Sequence, residues 1–307
     1  MRGFWTVCAL SFMTGPASAA DFNSSARGTT AAEFLELGVG ARAVAMGEAY
    51  SAVADEASAL YWNPAAMTQI QGRSAAFMHA AYIAPSFFDY GAYAQNLGDK
   101  GSFGAGFQYF SAGGMTRTDV TGTDVGNFTP YDMAVTLGYA HKLGGFSMGF
   151  GAKFIQSKVT RSAQTGAVDL GLLTPAYCDG RLKLAFTATN LGGTMKFGQA
   201  NENLPLALRL GSSYRLMERW LAALDVSFPR NDNPYAALGT EYQFLAGGPW
   251  KFAGRAGFNS QTVGGIDGFT GISFGVGIGY DGYSMDYGFV PLGGVGQAHR
   301  VSLTVNF

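Results

Sequence analysis

Phe269-Thr270-Gly271-Ile272-Ser273-Phe274-Gly275-Val276-Gly277-Ile278-Gly279-Tyr280 alternates almost from end to end. With a period of two, Ile272, Phe274, Val276, Ile278 and Tyr280 share one face, and Gly271, Ser273, Gly275, Gly277 and Gly279 the other. The same split recurs at 146–154, where Phe146, Met148, Phe150 and Phe154 oppose Ser147, Gly149, Gly151 and Lys153. It recurs again where Val301, Leu303, Val305 and Phe307 oppose Arg300, Ser302, Thr304 and Asn306. A water-soluble sheet would bury the aromatic face and expose charge, not glycine. Here one face suits hydrocarbon and the other a crowded or polar interior, as in a strand of a transmembrane barrel.

Working outward from this stretch, similar segments of about ten residues, the length of a tilted strand crossing a bilayer, recur from Arg73 to Phe307. They fall near 73–83, 87–97, 101–111, 131–143, 145–158, 165–176, 181–190, 204–216, 219–229, 234–245, 250–260, 269–280, 282–290 and 297–307. Tight Gly- and Asp-rich connections such as Gly144-Gly145 and Asp281-Gly282 follow every second strand. The intervening connections are mostly longer, including 112–130 and 191–203. Short turns on one side and longer loops on the other belong to an outer-membrane barrel of about fourteen strands, whose even count predicts both chain ends on the periplasmic side.

Composition agrees. Of 307 residues, 48% are hydrophobic and 13% charged, about half the ~25% usual in soluble chains. The 45 glycines are about twice the usual ~7% and follow no G-X-Y period. Beyond residue 20 no run approaches the ~18 apolar residues of a spanning helix, and barrels are the other backbone-satisfying way through lipid. Twenty basic against 21 acidic residues, net −1, leave no footprint for nucleic acid. Cys8 and Cys178 cannot build a disulfide framework. His79, His141 and His299 lack metal-ligand spacing, so neither metal nor cofactor is expected. Gly145-Phe146-Ser147-Met148-Gly149 and Gly271-Ile272-Ser273-Phe274-Gly275 fit G-x-S-x-G, but each serine sits mid-strand and not on a strand-turn-helix elbow, so no enzyme is expected.

Met1-Arg2, the apolar run Phe4 to Met13 and Ala17-Ser18-Ala19 read as an export signal over residues 1–19. Residues 20–70 lack alternation and read as a loop followed by a helix over roughly Arg42 to Ala57, ending before Trp62-Asn63-Pro64. Such a segment is too small to fold alone, and a glycine-lined lumen in the barrel of residues 71–307 offers it room. The inner face also carries Lys153, Lys183, Arg209, Asp225, Glu241, Arg255, Asp286 and Arg300, where charge avoids the cost of about 2–4 kcal/mol for a lipid-facing Lys or Arg. These side chains are expected to pair with one another or with the plug. Tyr131, Tyr139, Trp220, Tyr242, Trp250 and Tyr280 sit near strand ends as interfacial aromatics.

The run Phe34-Leu35-Glu36-Leu37-Gly38-Val39-Gly40-Ala41-Arg42-Ala43-Val44-Ala45-Met46-Gly47-Glu48-Ala49-Tyr50, with Ala59-Leu60-Tyr61-Trp62-Asn63-Pro64-Ala65-Ala66-Met67, resembles the amino-terminal signature of the PorV/PorQ family, related to FadL-type outer-membrane transporters of long-chain fatty acids. The resemblance implies a fourteen-stranded barrel with the amino-terminal segment as a hatch in the lumen. Arg42, Met46, Gly47, Asp55, Trp62, Asn63 and Pro64 are the candidate hatch residues. Phe307 resembles the terminal aromatic read by barrel-assembly machinery. Two functions stay open: a hatch-gated passive conduit or binder for hydrophobic small molecules, and a PorV-like adaptor for secretion-system proteins of the type IX pathway. The modest outer loops weigh slightly toward the first. The expected partners are outer-membrane lipid, a hydrophobic ligand, the assembly machinery and secretion proteins.

Overall fold

The computed structural model describes residues 21–82, 85–197, 200–245, 248–263 and 267–307. The expected export signal over residues 1–19 lies outside them. Eighteen strands follow one another: β1 (Arg73–Ala81), β2 (Phe87–Asn96), β3 (Ser102–Ser111), β4 (Met115–Thr118), β5 (Asp124–Phe128), β6 (Tyr131–Leu143), β7 (Phe146–Lys158), β8 (Ser162–Leu173), β9 (Leu182–Leu191), β10 (Thr194–Phe197), β11 (Ala200–Asn203), β12 (Ala207–Met217), β13 (Trp220–Pro229), β14 (Tyr235–Leu245), β15 (Trp250–Asn259), β16 (Ile272–Tyr280), β17 (Tyr283–Pro291) and β18 (Gln297–Asn306). Fourteen form one closed antiparallel barrel, sealed where β1 pairs with β18 and Ser74 stands opposite Asn306. Closure leaves no strand edge unpaired. Each alternating segment of the sequence coincides with a barrel strand, its ends shifted by no more than three residues. The remaining strands form two small hairpins, β4–β5 and β10–β11, within the two longest connections; their alternation is too short to stand out.

The two faces separate as the period of two requires. Along β16 Val276 is 61% exposed and Ser273 is 4% exposed. The exposed set, including Phe77, Phe103, Phe150, Leu210, Phe252 and Leu303, forms the lipid-facing surface. Trp250 and Tyr280 pack together at 4.6 Å and Phe103 and Tyr139 at 4.9 Å between ring centroids, both near the short-turn mouth.

The lumen holds the amino-terminal segment. Its helices are short: α1 (Ala41–Ala45) and α2 (Ala59–Trp62), with 3-10 turns at Glu33–Glu36 and Pro64–Gln69. The helix expected over Arg42 to Ala57 is thus corrected to one that stops at Ala45. Gly47 and Glu48 adopt φ of +65° and +71°, a left-handed pair no α-helix continues through. Beyond them the wall supplies partners that a helix would have supplied: Asp225 accepts from Tyr50 N and Ser51 N at 3.2 and 3.0 Å, and Ser74 Oγ accepts from Ala57 N at 3.0 Å.

The segment also runs the length of the lumen. Phe22 N donates to Arg230 O at 2.6 Å and Ala31 N to Asn203 O at 2.9 Å, both at the long-loop mouth. At the opposite mouth Asn96 Nδ2 donates to Ile70 O at 2.9 Å, beside the backbone bonds of 2.9 and 3.0 Å joining Arg73 and Phe307. Asp21, the first described residue, and Phe307 therefore lie at opposite mouths. Strand parity does place Arg73 with Phe307, but Asp21 sits at the other mouth, because parity counts strands and not a segment threading between them.

Candidate functional site

Along its lower course, from Ala41 to Gln69, the segment fits the wall through glycine. A Cβ at Gly149 would strike the backbone of Pro64 and Ala65; one at Gly171, the Asn63 side chain; one at Gly257, the backbone of Met46 and Gly47; and one at Gly288 would stand 2.9 Å from Ala41 O. Wall glycines therefore form the sockets into which segment backbone fits, the close approach that only a missing side chain permits. Gly47 is matched from the other side, since a Cβ there would lie 2.6 Å from Phe258 N and O. Asn63, the residue before Pro64, is extended at φ −164°, as proline demands of its predecessor. Its Oδ1 accepts from Ala65 N at 3.0 Å and caps the following turn, and its Nδ2 donates to Ser51 O at 3.0 Å and Leu172 O at 3.3 Å. Trp62 Nε1 donates to Val39 O at 3.0 Å. Met46 is fully buried, against Gly239.

Charge ties the same stretch down. Arg42 grips Glu241 with two bonds, Nε at 2.7 Å and Nη2 at 2.9 Å, while its Nη1 reaches Asp55 at 2.6 Å. Glu241 also accepts from Arg255 Nε at 2.6 Å, and Arg255 Nη1 reaches Asp286 at 2.7 Å. The chain Asp55–Arg42–Glu241–Arg255–Asp286 alternates in sign, so each buried charge has an opposite neighbour, the condition for tolerating charge in a low dielectric. Arg209 lies 4.0 Å from Asp225 and 4.9 Å over the Trp62 ring. Lys183 Nζ donates to Gln69 Oε1.

Of the eight wall charges singled out from sequence, the structure brings Lys183, Arg209, Asp225 and Glu241 against the segment. Arg255 and Asp286 join them through Glu241. Lys153 stands apart: it bonds Asp169 and Asn190, each at 2.8 Å, and staples β7, β8 and β9 within the wall. Arg300 points to another place.

That place is a cavity of about 770 Å³ at the long-loop mouth. Phe34, Leu37, Val44, Phe110, Val290 and Leu292 give it an apolar lining; Glu36, Glu48, Tyr82, Asp132 and Arg300 add polar groups. Its size and mixture match a small-molecule pocket. Burial pushes the Glu36 carboxyl up to about 7 against a lowering by its bond from Asn231 Nδ2 at 2.9 Å. Burial likewise raises Glu48, and Arg300 offsets part of that. Sequence reading passed over Glu36, Glu48 and Tyr82. The available signal was a pair of acids punctuating an Ala- and Gly-rich apolar run.

A family model described as type IX secretion system protein PorV matches residues 21–226, which take in the whole described segment and the wall as far as β13. The chain belongs to the PorV family. No curated protein sequence matches it. Among solved structures, this PorV-family chain is similar to the toluene transporter TodX of Pseudomonas putida, at 13% identity and a TM-score of 0.58, covering 87% of this chain and 97% of that one. A FadL homologue of Pseudomonas aeruginosa is similar at 12% identity and a TM-score of 0.58, covering 88% and 98%. At such identities the likeness is one of fold. The chain is an outer-membrane-type barrel with the PorV signature and FadL-type architecture.

Proposed function

We propose that this protein is a hatch-gated binder and passive conduit for hydrophobic small molecules in the outer membrane. The observation that carries the reading is the apolar cavity at the long-loop mouth, floored by Val44, Gly47 and Glu48 of the same segment that fills the lumen below. The toluene transporter with this fold lends support. In this reading residues 1–19 are a removed export signal, 20–70 the hatch and 71–307 the wall. The long-loop mouth faces outward and Phe307 the periplasm. Arg42, Asp55 and Asn63 latch the hatch, Trp62 and Met46 pack it, and Gly47 and Pro64 shape it. A molecule reaching the cavity passes only when the hatch shifts.

The test is a lock. Ser213 Oγ donates to Ala52 O at 3.3 Å across the hatch–wall contact, so Ala52→Cys with Ser213→Cys, in a Cys178→Ser background, places two thiols there. Oxidation is expected to stop uptake of hydrophobic compounds by whole cells and reduction to restore it. Uptake indifferent to the lock would overturn the gated conduit.

A second reading, an adaptor for proteins of the type IX pathway, draws on the family match and on the projecting β4–β5 hairpin. There Met115, Val120 and Val125 are exposed on a connection that no other loop covers in length. Deleting 115–128 should abolish cargo co-purification if this reading holds, while leaving uptake intact.

A further inference from the structure

At the short-turn mouth, Lys142, Lys183, Arg215 and Lys251 stand on β6, β9, β12 and β15, each within two residues of a strand end. Alternation turns all four toward the lumen. Lys142 stands opposite the buried Ser147 and Lys183 opposite the buried Ser213. Arg215 lies between the lipid-facing Tyr214 and Leu216, and Lys251 between the lipid-facing Trp250 and Phe252. Lys142, Arg215 and Lys251 are exposed, and Lys183 feels the like charge of both Lys142 and Arg215. Among the described residues no acid pairs with any of the four. The nearby lumen acids are already held, Asp55 by Arg42 and Glu241 by Arg42 and Arg255. Deeper in the lumen charge meets charge; at this rim cations are collected without a counterpart, and their summed field favours an anion arriving from outside.

Their spacing selects its form. Three strand intervals separate β6 from β9, one separates β9 from β12, and three separate β12 from β15. At ~4.8 Å per interval, the four backbones lie about 14, 5 and 14 Å apart, along an arc of roughly 34 Å. A single small anion does not span that arc, whereas an extended peptide rising ~3.3 Å per residue crosses each long gap in about four residues. The gaps are uncharged at the rim: Ser147 and Leu173 lie between Lys142 and Lys183, and Leu221 and Gln243 between Arg215 and Lys251. A polyanion charged along its whole length would leave charge unmatched over them, while a polypeptide places neutral residues there. We propose that these four side chains form a docking surface for an extended acidic polypeptide whose Asp or Glu residues recur about four positions apart. The inference rests on the orientation given above, which makes that partner periplasmic, and not on the conduit.

The probe is a fluorescent peptide in which Glu recurs at every fourth position among Ser and Gly, titrated against the mature full-length protein in phosphatidylcholine nanodiscs. Lys142→Gln, Arg215→Gln and Lys251→Gln together change exposed side chains outside the hatch contacts and are expected to weaken binding at least tenfold. Lys158→Gln, Arg161→Gln and Lys196→Gln together remove the same charge at the long-loop mouth and are expected to leave it unchanged. At 1 M salt, where the Debye length is about 3 Å, binding should vanish. Equal losses in the two triple variants, or binding that persists at that salt, would overturn the docking surface. So would stronger competition by polyphosphate than by unlabelled peptide of equal charge, or exclusion of the peptide by phosphatidylglycerol in the disc. A disc leaves both mouths open, so these outcomes do not bear on the conduit, which the disulfide lock tests separately.

Discussion

The lower and upper lumen are made from one segment and one wall, yet they do opposite things. From Ala41 to Gln69, backbone seats into glycine sockets and the buried charges are paired across the contact. From Asp21 to Gly40, the wall presents Tyr82, Phe110 and Val290, and a cavity remains. The difference lies in the wall side chains. Glycine admits a backbone and closes the lumen, whereas bulk holds the segment off and leaves room for a small molecule. A packed lumen and an open cavity are thus written on the same strands at different heights.

The hardest way to break the lower zone is Glu241→Ala, which removes the acid shared by two interior arginines and leaves Arg42 with only the exposed Asp55 and Arg255 with only Asp286. Removing one partner of a buried pair costs about 3–5 kcal/mol, so the urea midpoint of the folded barrel should fall sharply, with little change in cavity binding among molecules that remain folded. Next, Gly149→Val drives side-chain atoms into the Pro64–Ala65 backbone, an overpacking of about 1–3 kcal/mol. Its expected readout is steady single-channel conductance as the segment loosens. Gly254→Ala, where a Cβ meets only the Phe244 ring edge at 3.6 Å, should leave the channel closed. Asn63→Ala removes a cap worth about 1 kcal/mol and should speed proteolysis within 41–69 while the barrel keeps its thermal midpoint.

The smallest effect sharpens the upper zone. Glu36 is raised by burial to about 7 from an ordinary 4.5. A carboxyl raised in the folded state stabilises docking fully below the ordinary value, and that contribution is lost as pH climbs through about 7. Protection of residues 21–36 from hydrogen exchange, taken relative to the base-catalysed intrinsic rate at each pH, should therefore be lower at pH 8 than at pH 5, and Glu36→Gln should flatten the difference. Exchange within 41–69 should not follow the same titration.

The wall was legible in sequence because its signal is simple: Phe274, Val276 and Ile278 against Gly275 and Gly277 state two environments in five residues. Inward charges such as Glu241 and Asp225 were legible for the same reason, since parity alone turns them from lipid. What they bond to was not, because Arg42 and Glu241 lie 199 positions apart and their meeting depends on how the segment threads. The helix over Arg42 to Ala57 failed at the left-handed pair Gly47 and Glu48. Alanine-rich sequence favours helix locally, but Glu48 takes a left-handed backbone that only its tertiary setting imposes. The cavity groups stayed hidden likewise, as an orphaned Nε on Arg300 is a property of its surroundings and not of arginine.

The passage of the segment from one mouth to the other also bears on the order of assembly. Strand β1 starts at the mouth opposite Asp21, so in a finished ring the amino end would have to be pulled through a bore already lined for contact. A ring that closes at the β1–β18 seam around a cord already inside it avoids that threading. A protease site placed between Ile70 and Arg73 and cut after folding should then leave the severed cord captive on a native gel. Its escape from an intact ring would show that the bore can be entered after closure.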